Sequence, residues 1–170
     1  PKLAIEMAKK SSRTTHAAPQ ALDACGYFAG VIVGTLVGSD KEQILSEMYR
    51  PVEDAWQEGE LHPAIENVAR GSFKRKSPPE IRGSGYVVDC LEAALWAFYK
   101  TDTFRDGALL AVNLGDDADT TGAVYGQIAG VYYGVEEIPK DWVARVTMGD
   151  TIERYAADLY QGRVPPPEAE

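Results

Sequence analysis

The stretch NLGDDADTTG, residues 113–122, lies between two apolar segments and concentrates three carboxylates and two hydroxyls within a few positions. Carboxylates this close together repel one another unless a cation, hydrogen-bond donors or solvent offsets their charge. Magnesium, manganese and calcium ions prefer oxygen ligands of this kind. The stretch therefore predicts a cation site.

A simpler reading of the same residues is helix capping. Asp117, Asp119 and Thr120 stand just before a helical segment that is predicted to begin near Thr121. In that place the side chain of Asp119 or Thr120 could cap the free amides of the first turn without any metal. Three acids in four positions exceed what one cap needs, so the pattern favours metal binding, with capping as the alternative.

Two well-known metal motifs do not fit the sequence. An EF-hand loop that begins at Asp117 needs a glutamate at its twelfth position, where the chain has Ile128. A zinc site has no support, because His16 and His62 lack cysteine or histidine partners at ligand spacing. The sequence therefore predicts a site for a hard cation that is neither an EF-hand nor a zinc site.

Length and composition narrow the class of protein. The 170 residues suffice for one globular domain, and the net charge of −9 argues against nucleic acid as a partner. No apolar run reaches the roughly 18 residues of a membrane span, so no membrane partner is expected. Cys25 and Cys90 both fall in apolar helical patterns, which predicts reduced thiols and a cytoplasmic location.

Hydrophobic periodicity predicts an all-α fold. A β-branched run at residues 30–37 could be a strand, but it continues an apolar segment that is too long for one. Glycines at every fourth position from Gly26 to Gly38 predict a smooth stripe for close helix packing. Acids outside the cluster, such as Glu92, are expected on exposed helix faces or at helix caps. The predicted helices cover residues 3–10, 19–37, 41–49, 63–70, 87–99, 104–113, 120–133 and 147–160.

Three groups of motifs, taken in order along the chain, resemble one family. They are TTH at residues 14–16 before PQAL at 19–22, SGYVVD at 84–89 with LEAALW at 91–96, and the acidic stretch at 113–123 followed by IAGVYYG at 128–134. The last looks like the carboxy-terminal signature of ADP-ribosylglycohydrolases. The resemblance runs from the first helix to about Tyr160.

The resemblance implies an all-α, ADP-ribosylglycohydrolase-like helical domain and the hydrolysis of a bond that joins ADP-ribose to a protein or a small molecule. It also implies two divalent cations in the complete site, with Mg²⁺ as the first choice and Mn²⁺ as the second. The metal ligands carried over by motif position are Asp117, Asp119 and Thr120. The residues expected beside ADP-ribose are His16, Ser84, Gly85 and Tyr86.

Each substrate residue also has a structural alternative. The Gly-Ser-Gly run around Ser84 offers backbone amides to a diphosphate, although such a run is more often a linker. Tyr86 could be a core residue at a helix start, and His16 could be only a hydrogen-bonded loop histidine.

The sequence resembles only the carboxy-terminal portion of the family's domain, because the metal motif in the amino-terminal part of that domain has no counterpart here. Residues 1–162 are interpreted as that portion and residues 163–170 as a proline-rich tail. Expected partners are ADP-ribose or an ADP-ribosylated protein, and the missing amino-terminal part of the same fold. The alternatives are a non-catalytic structural or ligand-binding module, and self-association through an uncovered apolar face.

Overall fold

The computed structural model describes residues 1–57 and 59–163 and divides the chain into two compact units, Pro1–Glu137 and Ile138–Glu170. The described residues form helices and contain no β-strand, which confirms the predicted all-α class. Among them no helix combines the length and apolar character needed to cross a membrane. Of the predicted tail, residues 164–170 lie outside the described part.

The first unit contains seven α-helices among its described residues. They are α1 (Lys2–Ser12), α2 (Pro19–Leu36), α3 (Lys41–Ile44), α4 (Pro63–Ala69), α5 (Val87–Lys100), α6 (Phe104–Val112) and α7 (Ala118–Tyr133). Short 3-10 helices span Ser72–Lys74 and Val135–Glu137. In the second unit, α8 (Lys140–Val143) precedes α9 (Gly149–Tyr160), and no residue of either helix is buried.

Helix α5 forms the centre of the first unit. Every residue from Cys90 to Phe98 is buried, as expected for a helix that is surrounded by others. It packs against α2, α6 and α7, and the fully buried Ala93, Ala94 and Ala97 leave room for close approach. The Phe98 ring meets the Tyr132 ring of α7 edge to face, with centroids 5.3 Å apart.

The prediction that Glu92 lies on an exposed helix face or at a helix cap is wrong, because it lies inside α5. Glu92 is only 5 % exposed. Its carboxylate accepts hydrogen bonds from the Lys76 ammonium at 2.8 and 2.9 Å and from the Ser72 hydroxyl. A buried carboxylate requires such partners, so this cluster ties the segment after α4 to the central helix.

Most predicted helices agree with the structure to within about two residues, but the third is much shorter than predicted. Asp40 and Gln43 form a capping box at the start of α3, and the helix ends at Ile44 instead of Tyr49. Met48 adopts a left-handed conformation, and its N–H donates to the Ala69 carbonyl at the end of α4. This tertiary contact draws the chain out of the helix. The short helix α8 was not predicted.

The glycine stripe of α2 does not serve close helix–helix contact alone. A Cβ atom added to Gly26 would lie 2.5 Å from the Lys9 side chain of α1. At Gly30 and Gly34 it would lie 2.7 Å from the Trp56 ring and 2.0 Å from the Tyr49 hydroxyl. The stripe therefore mainly receives side chains, two of them from the loop after α3.

Candidate functional site

The acidic stretch forms the entrance to α7. Gly115 and Asp116 both have positive φ, at 76° and 55°, and turn the chain so that Asp117 immediately precedes the helix. The Thr120 hydroxyl donates a 2.8 Å hydrogen bond to Oδ1 of Asp117. Asp117 is partly buried, whereas Asp119 and Thr120 are exposed.

The structure does not support the capping alternative. Helix α7 begins at Ala118, two to three residues earlier than predicted, so Asp119 and Thr120 belong to its first turn. Asp117 occupies the cap position, but its side chain accepts no hydrogen bond from a backbone amide of the helix. The carboxylates of Asp117 and Asp119 thus have no capping role that would explain them.

The Gly-Ser-Gly loop before α5 contacts this entrance directly. The N–H of Asp117 donates a 2.7 Å hydrogen bond to the carbonyl of Gly83. A Cβ atom on Gly85 would lie only 3.3 Å from Oδ2 of Asp117. The fold therefore brings together two predicted site residues, Gly85 and Asp117, that are 32 positions apart in the sequence.

Side-chain contacts also fix the loop. The Ser84 hydroxyl donates to Oδ2 of Asp89 at 2.8 Å and accepts the N–H of Tyr86 at 3.2 Å. The run is thus an anchored loop, unlike a free linker. Tyr86 is 46 % exposed, so it is not the core residue that the alternative interpretation expected.

His16 lies in the turn that follows α1. Its side chain is exposed, and its Nδ1 is 3.0 Å from the Thr15 hydroxyl. Among the described residues, no hydrogen bond joins His16 to Ser84, Gly85 or Tyr86. This geometry matches the alternative of a hydrogen-bonded loop histidine and leaves its predicted ligand contact as a prediction.

A small apolar cavity of about 160 Å³ opens beside the entrance of α7. Gly85 and Thr120 line this cavity. The other lining residues are mainly apolar and belong to α2, α5 and α7, among them Cys25, Phe28, Leu91 and Val124. Burial raises the pKa of the neighbouring Cys90 thiol. Sequence analysis missed this cavity, because these residues show only the periodicity of core positions.

The donors at the entrance suit a hard cation in type but do not complete a coordination shell. Asp117, Asp119 and Thr120 offer carboxylate and hydroxyl oxygens, the ligands that Mg²⁺ and Mn²⁺ accept. Within residues 1–57 and 59–163, however, no group of three or more His, Cys, Asp or Glu side chains is placed to hold a metal ion. Any ion here needs further ligands from water, substrate or other polypeptide.

These features define an all-helical domain in which an oxygen-rich helix entrance lies against a glycine-rich loop. The family model of ADP-ribosylglycohydrolases matches residues 1–168. The chain belongs to this family.

Known relatives agree with this assignment. The chain is 41 % identical, over 88 % of its length, to an ADP-ribosylarginine hydrolase Tri1 of Pseudomonas putida (strain GB-1). Over 71 residues it is 42 % identical to an ADP-ribosyl-[dinitrogen reductase] glycohydrolase of Rhodospirillum rubrum. A solved structure described as an ADP-ribosylglycohydrolase-related protein complex superposes with a TM-score of 0.82 at 42 % identity and covers 92 % of the chain.

The chain matches only part of the length of these relatives. The match spans 38 % of the Pseudomonas protein, 24 % of the Rhodospirillum protein and 52 % of the chain in the solved structure.

Proposed function

We propose that this protein contributes to a metal-dependent hydrolase that removes ADP-ribose from a protein or small-molecule adduct by cleaving a glycosidic bond. Family membership supports the reaction class. The observation that carries the proposal is the contact between the two predicted parts of the site, in which the Asp117 amide binds the Gly83 carbonyl and the Asp117 carboxylate lies beside Gly85.

The proposed cations, two in the complete site and Mg²⁺ before Mn²⁺, would be held in part by Asp117, Asp119 and Thr120. When bound, divalent cations would supply positive charge that orients the ribose and polarises its oxygens. The chain itself contributes two further features. The N–H groups of Ser84 and Gly85 donate no hydrogen bond within the described residues, so they are available to a diphosphate. The exposed Tyr86 ring offers a flat surface to the ligand.

The names of the relatives guide the choice of substrate. One relative is an ADP-ribosylarginine hydrolase and another acts on ADP-ribosyl-[dinitrogen reductase]. We therefore propose an ADP-ribosylated protein as substrate and an arginine adduct as the first one to test. His16 is retained as a proposed ligand contact on the basis of its motif.

The chain is proposed to supply only part of the active site. The three donors of the α7 entrance do not fill the shell of one divalent cation, let alone two. The remaining ligands would come from the amino-terminal part of the family fold. The match spans only 38 % of the Pseudomonas protein, which is consistent with a partial site.

A second candidate function is a non-catalytic ligand-binding module of the same fold. The incomplete donor set among the described residues is the observation that favours it. Such a module would bind ADP-ribose through the loop before α5 without hydrolysing an adduct.

A calorimetric titration of Mg²⁺ or Mn²⁺ and then ADP-ribose into the chain tests these proposals. Asp117→Asn should weaken metal binding, because it replaces an anionic ligand with a neutral one. Asp106→Asn is the matched control, because Asp106 is an exposed acid in the first turn of α6, away from the loop that leads to α7. Equal metal affinity in the wild type and both variants would contradict the metal assignment.

Hydrolysis is tested by adding the amino-terminal part of the Pseudomonas relative in trans, with an ADP-ribosylarginine protein as substrate. Turnover that requires the added part and is lost in Asp117→Asn supports the hydrolase. Ligand binding without turnover in either mixture supports the module. Absence of both metal and ligand binding in every sample would refute both functions.

Two further expectations are carried forward as proposals. A cytoplasmic location is supported by Cys25 and Cys90, which are both free thiols. Self-association is supported by exposed apolar side chains on α1, where Leu3 and Met7 are 67 % and 42 % exposed. Gel filtration tests it, because a strictly monomeric, folded chain would contradict it.

A further inference from the structure

Asp89 makes contacts that the predicted site does not account for. It lies in the first turn of α5 with its side chain 21 % exposed. Its Oδ2 accepts the Ser84 hydroxyl at 2.8 Å and lies 3.2 Å from the Arg82 guanidinium. One carboxylate oxygen thus contacts residues at two positions of the segment that leads into α5.

The Ser84 hydroxyl uses its one hydrogen and one of its two acceptor sites in contacts within the loop and with α5. It donates its only hydrogen to Asp89, and it accepts the N–H of Tyr86 at 3.2 Å. The side chain of Ser84 therefore shapes the loop, and the unused N–H groups of Ser84 and Gly85 are the parts of the loop available to an anionic ligand.

The loop is anchored from two sides. On the α5 side, Asp89 holds Ser84. On the α7 side, the Gly83 carbonyl accepts the N–H of Asp117 at 2.7 Å. A change at Asp89 can therefore reach the unused amides of the loop without altering any proposed metal ligand.

We propose that Asp89 is a positioning residue, which holds Ser84 so that the Gly83–Tyr86 loop keeps its unused amides in place for a diphosphate ligand. This inference rests on the proposed function. Arg82 offsets the negative charge of Asp89, which would otherwise repel an anionic ligand close to the loop. Asp89 itself does not contact the ligand in this scheme.

The competing explanation is a structural one. An acid in the first turn of a helix stabilises the helix through the macrodipole, whatever it does for the loop. That role depends on the charge of Asp89, whereas the positioning role depends on an oxygen that accepts the Ser84 hydroxyl. Asp89→Asn removes the charge but keeps the acceptor, and Asp89→Ala removes both.

The test is a titration of ADP-ribose, in the presence of saturating Mg²⁺, into the full chain and four variants. Asp89→Ala should weaken ADP-ribose binding by about tenfold, the effect of losing one charge-assisted hydrogen bond. Ser84→Ala should weaken it at least as much, because it also removes the acceptor of the Tyr86 N–H. The double variant should bind no more weakly than Ser84→Ala, because both single variants remove the hydrogen bond between Ser84 and Asp89. Asp89→Asn should bind within about threefold of the wild type, because its amide oxygen still accepts the Ser84 hydroxyl.

Two controls separate positioning from folding and metal binding. Mg²⁺ affinity should be unchanged in Asp89→Ala. The difference in the free energy of unfolding between the wild type and Asp89→Asn, measured in urea, gives the stabilisation that depends on the charge of Asp89. Wild-type ADP-ribose affinity in both alanine variants, or effects that add in the double variant, would overturn the proposal. Equal loss of binding in Asp89→Asn and Asp89→Ala would assign the effect to charge and would also overturn it.

A separate readout distinguishes this proposal from the proposed function. If the wild-type chain with Mg²⁺ does not bind ADP-ribose, ligand binding by this chain alone is refuted, and amide hydrogen exchange then decides whether Asp89 holds the loop. The Tyr86 amide should exchange about tenfold faster in Asp89→Ala and near the wild-type rate in Asp89→Asn. An unchanged rate in Asp89→Ala would refute the positioning role.

Discussion

Gly83→Ala tests how tightly the loop before α5 is clamped against the entrance of α7. A Cβ atom at this position would lie 3.0 Å from the Gly115 carbonyl oxygen, 3.1 Å from the Thr121 hydroxyl and 3.3 Å from the Leu114 Cβ atom. One of these atoms is backbone, and Thr121 is fully buried. None of the three neighbours is the far end of a flexible side chain, so the loop itself must shift.

The expected cost follows from this crowding. Adding a methyl group to a well-packed interior typically costs 1–3 kcal/mol, and we expect about 2 kcal/mol for Gly83→Ala. The shift would also stretch the hydrogen bond from the Asp117 N–H to the Gly83 carbonyl, which is 2.7 Å in the native chain. Metal affinity should therefore fall together with stability.

The assay is urea unfolding followed by far-ultraviolet circular dichroism, with a Mn²⁺ titration of each folded variant. Gly126→Ala is the matched control, because Gly126 lies inside α7 and an added Cβ there meets no atom within 4 Å. This control should gain about 1 kcal/mol from higher helix propensity. A Gly83→Ala variant whose stability stays within about 0.5 kcal/mol of the wild type would refute the reasoning.

Three other predictions concern buried and half-buried groups. Glu92→Gln should lower the free energy of unfolding, measured in urea, by about 2 kcal/mol. This is below the range for fully buried ion pairs, because the Lys76 side chain is 32 % exposed, and an unchanged free energy of unfolding would contradict the pair. A thiol reagent should modify Cys25 in the native chain but Cys90 only after unfolding, because Cys90 is buried and burial raises the pKa of its thiol. Rapid modification of both cysteines in the native chain would contradict this prediction. Burial raises the pKa of Tyr133 from 10.0 to about 12, so the stabilisation that this side chain provides is complete below pH 10 and should be lost as the pH rises towards 12. When the free energy of unfolding is measured between pH 10 and 12, Tyr133→Phe should show a smaller decrease than the wild type.

The helices were largely predictable because their signals are local. The apolar period of Val87–Lys100, for example, identified α5 to within one residue. The third helix was mispredicted because its end depends on a bond from Met48 to Ala69, which no local pattern reveals. Glu92 was misplaced for a similar reason, since its partner Lys76 is 16 positions away.

The candidate site likewise has one part that the sequence could predict and another that required the folded structure. The clustered oxygens of Asp117, Asp119 and Thr120 are visible in the sequence, because residues that are adjacent in the chain must be close in space. The contact of Gly85 with Asp117 and the bond from Ser84 to Asp89 required the folded structure. The apolar cavity beside them could not be predicted, because core positions and cavity walls share one composition.

Local patterns in the chain were therefore enough to predict the helical class and the resemblance to a family, since helical periodicity and motif order are properties of neighbouring residues. The folded structure was needed to show that Gly85 lies beside the Asp117 carboxylate, that the Gly83 carbonyl accepts the N–H of Asp117, and that Glu92 is buried against Lys76. These features depend on distances between residues that are far apart in the chain. Such distances are set by how the central helix α5 packs against α2 and α7, which is a property of the whole core.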